Sequence, residues 1–287
     1  GTAITLTPAD ATNGGILTAG TQTIGGAKTF SNTTTFNSDI TVNGLTVGKG
    51  ARNVASNTVI GISALKSTNV GSEIVAIGNN SLQAGNNSGS NLTAVGSYSG
   101  YYNSTGSDNS FFGYKAGFNN TTGLLNTAIG AESMGYGTAT GYGNTALGYR
   151  SLYRVTEGDG NSAVGDSVLI ANTSGYYNVG VGHQTLQSNL SGNNNIGLGY
   201  IALSANTTGY SNIGIGRSAI NWNQTGNYNI GIGEQTLERL TGNTSNNIAI
   251  GFRAGKHFGT GTSLNLASSI AGNVLIGHDV RVNGASD

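Results

Sequence analysis

The chain has 287 residues, of which 49 are Gly and one is Pro, and its hydrophobic (36%) and charged (8%) fractions lie below those of ordinary globular domains. Twelve Lys and Arg balance twelve Asp and Glu, so we expect no binding to nucleic acid and no attraction to anionic membranes. No apolar run approaches the ~18 residues of a membrane span, so no membrane insertion is expected, and the absence of Cys excludes disulfides and thiolate metal sites.

The first predicted element is a β-rich shaft or connector over residues 1–53. Its apolar residues stand among Thr, Asn and Ser with partial alternation, as in short strands. They are too few to bury a monomeric core, so we expect this segment to wind with two partner chains. The apolar residues are Phe30, Phe36, Ile40, Val42, Leu45 and Val47.

Residues 54–256 carry an internal repeat. One pattern recurs: Asn, three small or apolar residues, Gly, three mixed residues and usually Leu, as in NIGLGYIAL from Asn195. The repeat glycines are almost evenly spaced along the chain, and the interval widens only before the last of them. The glycines are Gly61, Gly78, Gly96, Gly113, Gly130, Gly148, Gly165, Gly182, Gly199, Gly216, Gly233, Gly251 and Gly277. Such regular spacing predicts a repeat architecture.

This period predicts an all-β parallel β-solenoid, or β-roll. A unit of about seventeen residues suits one coil with two short strands and two turns, whereas frequent Gly and Asn and the lack of a 3.6-residue period disfavour helix. Stacked strands lie ~4.8 Å apart, so twelve coils predict an elongated rod of roughly 55 Å.

Side-chain alternation predicts the faces of each strand. The apolar residues one and three places after the repeat Asn, such as Ile196 and Leu198, are assigned to the coil interior. The Ala or Gly between them, such as Gly197, is assigned to the outer face, where a small side chain lets a sister chain approach closely. A Leu column is expected to close the interior, formed by Leu65, Leu82, Leu152, Leu186, Leu203 and Leu237.

The repeat Asn is interpreted as a structural ladder. Stacked amides hydrogen-bond up and down a column, and Asn tolerates turn conformations. The clearest members are Asn126, Asn144, Asn178, Asn195, Asn212 and Asn229.

The motifs NTAIG, NTALG, NVGVG and NIGIG resemble the head repeats of trimeric autotransporter adhesins, and similar repeats occur in bacteriophage tail fibres and related receptor-binding proteins. The resemblance covers about residues 54 to 281 and implies β-rolls that assemble as a homotrimer. The units here are longer than the adhesin repeat, and no membrane anchor or heptad stalk is visible.

Both ends of the sequence favour the tail-fibre resemblance. GTQTIGGAKTFS from Gly20 looks like tail-fibre shaft sequence, which implies tail or baseplate proteins as partners at the N-terminal end. Residues 257–287 are interpreted as a terminal irregular coil. They include NVLIGHDVRVNGASD from Asn273, which looks like the lead-in to a missing C-terminal region, where a self-cleaving trimerisation chaperone often follows in such fibres.

Charged residues after the repeat Gly are predicted to pair between adjacent coils. Opposite charges ~4.8 Å apart form weak surface ladders. The pairs are Glu132 with Arg150, Asp166 with His183 and Arg217 with Glu234. A glycosidase needs two carboxylates ~5 to 9.5 Å apart around a cleft. Because bases separate the acids here, we assign no catalytic residue and expect no enzyme.

Metal ligation has weak support in the sequence. Glu157, Asp159 and Asn161 alternate like calcium ligands, but Asn161 belongs to the repeat, so a Gly-rich turn is preferred. The histidines have no second ligand at metal spacing, and an axial His shared by three chains is the alternative. They are His183, His257 and His278. We therefore expect no metal and no cofactor.

Aromatic residues near the polar Gly turns are the candidate receptor-binding residues. Tyr and Trp can cover a sugar ring or a partner surface while their polar ends stay wet; the alternative is packing between coils or subunits. The candidates are Tyr101, Tyr102, Tyr136, Tyr142, Tyr176, Tyr177, Tyr210, Trp222 and Tyr228, with Tyr114, Tyr149 and Tyr200 as secondary candidates.

These features predict a structural and adhesive fibre protein in a virion tail fibre or on an extracellular surface. As a homotrimer it would bind a glycan or protein receptor on a host cell, with avidity supplied by three chains. Two alternatives stay open, a bacterial trimeric cell-surface adhesin and a glycan-cleaving tail spike enzyme.

Overall fold

The computed structural model describes residues 39–43, 45–67, 70–137, 139–240, 244–256 and 272–281. These ranges belong to one compact unit, Ser38–Asp287. Within them the only helical element is a 3-10 turn at Ala51–Asn53, and a search of these ranges finds no candidate membrane-spanning helix. Phe30, Phe36, His257 and the motif from Gly20 lie outside the described residues.

The described ranges contain a single sheet of 15 short strands in chain order. The strands are β1 (Ile40–Val42), β2 (Leu45–Gly48), β3 (Thr58–Gly61), β4 (Val75–Ile77), β5 (Thr93–Val95), β6 (Ser110–Phe112), β7 (Thr127–Ile129), β8 (Thr145–Leu147), β9 (Ser162–Val164), β10 (Val179–Val181), β11 (Ile196–Leu198), β12 (Ile213–Ile215), β13 (Ile230–Ile232), β14 (Ile248–Ile250) and β15 (Val274–Ile276). Strands β1 and β2 fall in the predicted shaft segment, and β15 falls in the predicted terminal coil.

The strand pairing defines a solenoid. β1 and β2 pair antiparallel, as do β2 and β3. From β3 onward every neighbouring pair is parallel and in register; for example, Gly197 pairs with Gly214, which pairs with Gly231. The all-β parallel β-solenoid is therefore confirmed, and its coils have the length predicted from the repeat.

Each coil carries one strand of three or four residues, so the prediction of two strands per coil is wrong. The rest of the coil bends at residues with positive φ, including Ile201 (50°) and Leu203 (52°), and extended strands cannot form there. Its N–H groups still bond to the next coil, as in Leu203 N to the Ala219 carbonyl at 2.9 Å.

From β3 to β15, the inward residue is the middle one of the three-residue core of the strand. Ala146 is fully buried, whereas its neighbour Leu147 is 44% exposed. The assignment of Ile196 and Leu198 to the interior, with Gly197 on the outer face, is therefore wrong, since both apolar side chains are only half-buried and flank a buried glycine.

The small residue of each strand faces inward because the interior of the coil is narrow. The Leu column is fully buried, as predicted. A Cβ placed on Gly214 would lie 3.1 Å from Leu203 Cγ, so the leucine leaves room only for a small residue opposite it. A longer side chain at the middle strand position would overfill the interior.

One coil exchanges the sizes of these two interior positions. In β6 the inward residue is Phe111, which is fully buried. The Leu-column position is Gly100 in the preceding coil and Gly117 in the same coil. A Cβ on Gly100 would lie 2.9 Å from the Phe111 ring, and one on Gly117 would also meet that ring. Two glycines thus make the space that one phenylalanine fills.

The repeat glycines sit where no side chain fits. Their φ angles lie between 123° and 150°. A Cβ on Gly216 would lie 2.6 Å from the carbonyl carbon and oxygen of Gly233 in the next coil. The close approach of successive backbones, together with the unusual φ, explains why only glycine occurs there.

Buried asparagines connect the coils. Asn195 donates from its backbone N–H and from Nδ2 to Asn178 Oδ1, at 3.0 and 3.1 Å, and Nδ2 also donates to the Gly209 carbonyl at 2.8 Å. The same backbone-to-Oδ1 bond and an Nδ2 bond to a turn carbonyl recur at Asn126, Asn144, Asn178, Asn212 and Asn229. This ladder satisfies buried backbone groups that the turns would otherwise leave unpaired.

A second asparagine ladder was missed by the sequence analysis. Asn206 Nδ2 donates to Asn189 Oδ1 at 2.8 Å and to the Gly209 carbonyl at 2.9 Å. The signal was an Asn three residues before the turn glycine. The members are Asn103, Asn120, Asn172, Asn189, Asn206 and Asn223.

Candidate functional site

The outer face of the sheet carries an apolar side chain in every coil from β3 to β15. The last residue of the three-residue core of each strand points outward, and it is Ile, Val, Leu or Phe throughout. Exposure reaches 44% at Leu147 and 67% at Ile276. This outer apolar column consists of Ile60, Ile77, Val95, Phe112, Ile129, Leu147, Val164, Val181, Leu198, Ile215, Ile232, Ile250 and Ile276. At ~4.8 Å per coil it extends for roughly 55 to 60 Å.

The nine aromatic candidates divide into two columns. The first aromatic column follows the Leu-column position by one or two residues and contains Tyr101, Tyr102, Tyr136 and Trp222. The second aromatic column occupies the last two residues before the ladder asparagine and contains Tyr142, Tyr176, Tyr177, Tyr210 and Tyr228. They were predicted as one set, whereas the structure places them at two different positions of the coil.

Rings of the first aromatic column are largely engaged with each other and with cations. Tyr101 stacks on Phe118 with ring centroids 5.2 Å apart. Tyr136 stacks on Tyr153 at 5.4 Å. Arg239 lies over the Trp222 ring, 5.4 Å from its centroid. These contacts fit the alternative interpretation of packing between coils.

Rings of the second aromatic column contact each other in pairs. Tyr176 meets Tyr177 edge-to-face at 5.3 Å, and Tyr210 meets Tyr228 edge-to-face at 5.1 Å. The side-chain hydrogen bond between Tyr142 and Tyr177, and then the Coulombic effects of Tyr177 and Asp159, raise the pKa of the Tyr142 hydroxyl. The bond between Tyr210 and Tyr228 raises the pKa of Tyr210 in the same way. The hydroxyls of Tyr142 and Tyr210 therefore stay neutral at physiological pH.

The three secondary aromatic candidates lie beside basic side chains. Tyr200 stacks on His183 at 5.5 Å. Lys115 lies over Tyr114 at 5.2 Å and Arg150 over Tyr149 at 5.0 Å. These residues form another column, just after the repeat glycine, and they do not join the second aromatic column.

The three predicted charge pairs face each other across adjacent coils. Arg150 Nε lies 2.7 Å from Glu132 Oε2, and this hydrogen bond is the main cause of the raised pKa of Arg150. Arg217 Nη2 lies 2.8 Å from Glu234 Oε1, and His183 Nε2 lies 3.9 Å from Asp166 Oδ2. All are at the surface, where such pairs add little stability.

A further ion pair was missed. Lys256 Nζ lies 3.1 Å from Glu238 Oε2, and both side chains are largely covered. The two residues occupy the same position in adjacent coils, so the column rule that found the other pairs applied here as well.

Within the described ranges, no group of three or more His, Asp or Glu side chains is arranged to hold a metal ion. Asp159 instead accepts a hydrogen bond from the Tyr142 backbone N–H at 2.8 Å. His278 stacks on Phe252 at 5.1 Å. These contacts give the residues structural roles.

The stacked, in-register coils define the chain as a parallel β-solenoid repeat protein. Comparisons with models of protein families, with curated proteins and with solved structures return no match. The features that bear on function are therefore its two distinctive surfaces, the outer apolar column and the second aromatic column.

Proposed function

We propose that the chain is a structural and adhesive fibre protein of a phage or phage-like tail, which attaches the particle to a host-cell surface as a homotrimer. The repeat motifs and the shaft-like segment from Gly20 support this assignment through their resemblance to tail-fibre sequences. In this proposal the N-terminal end meets tail or baseplate proteins, and the exposed turns of the solenoid meet a glycan or protein receptor.

The outer apolar column is the observation that carries the proposal of a trimer. Monomeric soluble proteins rarely expose contiguous apolar patches of this extent, and such patches mark interaction sites. Parallel sheets are normally covered on both faces. One face here lies against the chain's own Leu column, and in the proposed trimer the other face packs against sister chains. This replaces the small-residue interface expected from the sequence.

A trimer also multiplies the receptor-binding surface. Three chains would present three copies of each aromatic column, so individually weak contacts would add through avidity when the receptor is dense enough for simultaneous engagement. This is the proposed mechanism of attachment.

The oligomeric state tests the interface. Size-exclusion chromatography with light scattering should give a trimer for the full chain. The double variant Leu147→Asp, Ile215→Asp should dissociate it, because burying unpaired carboxylates is costly. Tyr200→Asp is the matched control: it also adds a charge at an exposed site, but outside the outer apolar column, and it should remain trimeric. A wild-type monomer would contradict the proposal.

The location of the chain tests the attachment role. Immunogold electron microscopy should place the chain on particle tails, and purified protein should bind host cells and compete with particles for attachment. Labelling of the bacterial surface instead would favour the cell-surface adhesin. Release of sugar fragments from host polysaccharide by the purified protein would favour the tail spike enzyme.

A further inference from the structure

We propose that the second aromatic column binds an extended, uncharged polysaccharide along the solenoid. In this arrangement sugar rings lie on the side chains of Tyr142, Tyr176 and Tyr210, and hydroxyl groups bond to the polar side chains between them. The inference rests on the proposed attachment function, because it names the chemistry of the receptor that the same protein would recognise.

Residue types alternate along the stack at one position of the coil. The next-to-last residue before the ladder Asn is, in successive coils, Tyr142, Asp159, Tyr176, Asn193, Tyr210 and Asn227. At ~4.8 Å per coil, one tyrosine recurs about every 10 Å and the stretch spans roughly 24 Å. A ring, a polar group and another ring thus follow each other at constant spacing, and a linear polymer with a regular repeat can meet such a series in one register.

The tyrosine rings at this position are exposed to solvent but are held in place by neighbouring side chains. Tyr142, Tyr176 and Tyr210 are 50%, 43% and 39% exposed. Tyr176 packs edge-to-face on Tyr177 and Tyr210 on Tyr228, with ring centroids 5.3 and 5.1 Å apart, and the Tyr142 side chain is hydrogen-bonded to Tyr177. Rigid tyrosines lose little conformational entropy on binding, so they suit a surface that must recognise a ligand with few contacts.

Polar side-chain atoms lie between the tyrosine rings and are available to a ligand. The backbone N–H groups of Tyr142, Tyr176 and Tyr210 donate to Oδ1 of the following Asp or Asn at 2.8 to 2.9 Å. These bonds orient Asp159, Asn193 and Asn227 but use only the Oδ1 atom of each side chain. In the described part of the chain, Asp159 Oδ2 and the Nδ2 groups of Asn193 and Asn227 make no further hydrogen bond. They offer one acceptor and two donor groups, which sugar hydroxyls can satisfy because a hydroxyl both donates and accepts.

The charge of the residues around the tyrosines distinguishes between neutral and acidic polysaccharides as ligands. The last five residues of the coils that carry the column contain Glu157 and Asp159 but neither Lys nor Arg. An acidic polymer would meet like charge without a compensating base, whereas a neutral polymer meets apolar rings and hydrogen-bonding groups. The column therefore favours a neutral polysaccharide.

Affinity electrophoresis of the full chain tests this assignment. The gels contain dextran, galactomannan or xyloglucan as neutral probes, and alginate or hyaluronate as acidic probes. At least one neutral polymer should retard the wild-type chain, and the acidic polymers should not. Tyr176→Ala should weaken retardation by about tenfold, as expected for the loss of a central aromatic anchor. Tyr176→Phe keeps the ring and should retain most of the affinity.

The matched control is Tyr200→Ala, which removes a tyrosine of similar exposure from another column and should bind like wild type. Thermal melts followed by circular dichroism establish that each variant is folded. Failure of all three neutral polymers to bind, stronger binding of an acidic polymer, or equal losses for Tyr176→Ala and Tyr200→Ala would overturn the inference.

Host-cell attachment by the same proteins separates this inference from the proposed function. If wild type attaches to cells and folded Tyr176→Ala attaches equally well, the attachment function stands and the polysaccharide site is wrong. If wild type binds a neutral polymer through Tyr176 but does not attach to any host cell, the site stands and the attachment function is wrong.

Discussion

The coil of β6 and the coils of β10 to β13 fill the same interior in opposite ways. In β6 the strand contributes Phe111, and the Leu-column position is glycine. In β10 to β13 the strand contributes only glycine at its centre, and Leu186, Leu203, Ile220 and Leu237 occupy the Leu column. The comparison teaches that the pair of positions conserves interior volume, whereas neither position alone does.

The largest effect is expected when the β6 arrangement is broken. Phe111→Ala should cost about 3 to 5 kcal/mol, because it leaves a cavity that two glycines cannot fill. Adding Gly117→Leu should recover part of this loss, since leucine occupies the same positive-φ position elsewhere, as at Leu203 with φ 52°. Urea unfolding measures the total, and hydrogen exchange of β5 to β7 localises it. A double variant no more stable than Phe111→Ala would show that the two arrangements are not interchangeable.

A continuous run of the asparagine ladder begins at Asn109 in the β6 coil and extends through β10 to β13, so its removal inside this run should be costly. Asn195→Ala would leave the buried Asn212 backbone N–H without its acceptor, whereas the Gly209 carbonyl would keep its bond from Asn206 Nδ2. With ~1 to 3 kcal/mol for this unpaired group and ~1 kcal/mol for the other lost bonds of the Asn195 amide, the expected loss is roughly 2 to 4 kcal/mol. Asn221→Ala is the control, because its half-buried side chain makes no hydrogen bond within the described residues. Equal unfolding midpoints for the two variants would contradict a stabilising ladder.

The smallest effect is expected from adding one methyl group to the glycine arrangement. A Cβ on Gly197 would lie 2.5 Å from Thr185 Cγ2, whereas one on Gly214 would lie no closer than 3.1 Å to any neighbour. Gly197→Ala should therefore cost about 1 to 3 kcal/mol and Gly214→Ala less. Thr185→Ser removes the clashing methyl but keeps the hydroxyl, so it should relieve Gly197→Ala. The urea midpoints of wild type, Gly197→Ala, Gly214→Ala and the double variant Gly197→Ala, Thr185→Ser test this ranking. If the double variant is no more stable than Gly197→Ala, the strain lies elsewhere.

The repeat was sufficient to predict the solenoid, its period and the pairing of residues across coils. Alternation also separated the two faces of each strand, but it did not identify the inward face. Hydrophobicity favoured Ile196 over Gly197 for the interior, and only the width left by Thr185 and Leu186 reverses that choice. That width depends on leucine adopting a positive φ, which residue type alone does not indicate.

The candidate site was predictable as a set of residue types but not as a surface. Tyrosines near glycine turns were visible in the sequence, and because Tyr142, Tyr176 and Tyr210 each stand two residues before a repeat Asn, their shared position could also have been found there. The structure aligns the coils through their hydrogen bonds, and the alternation with Asp159, Asn193 and Asn227 then becomes apparent.

The in-register pairing makes each coil an interchangeable module. Gly197 faces Gly214 just as Gly214 faces Gly231, with equal lengths of chain between them. Duplication or deletion of one such module in the gene would give every remaining strand an equivalent neighbour. The protein can therefore evolve by whole modules, and each pair of modules gained or lost would change the number of tyrosine platforms by one.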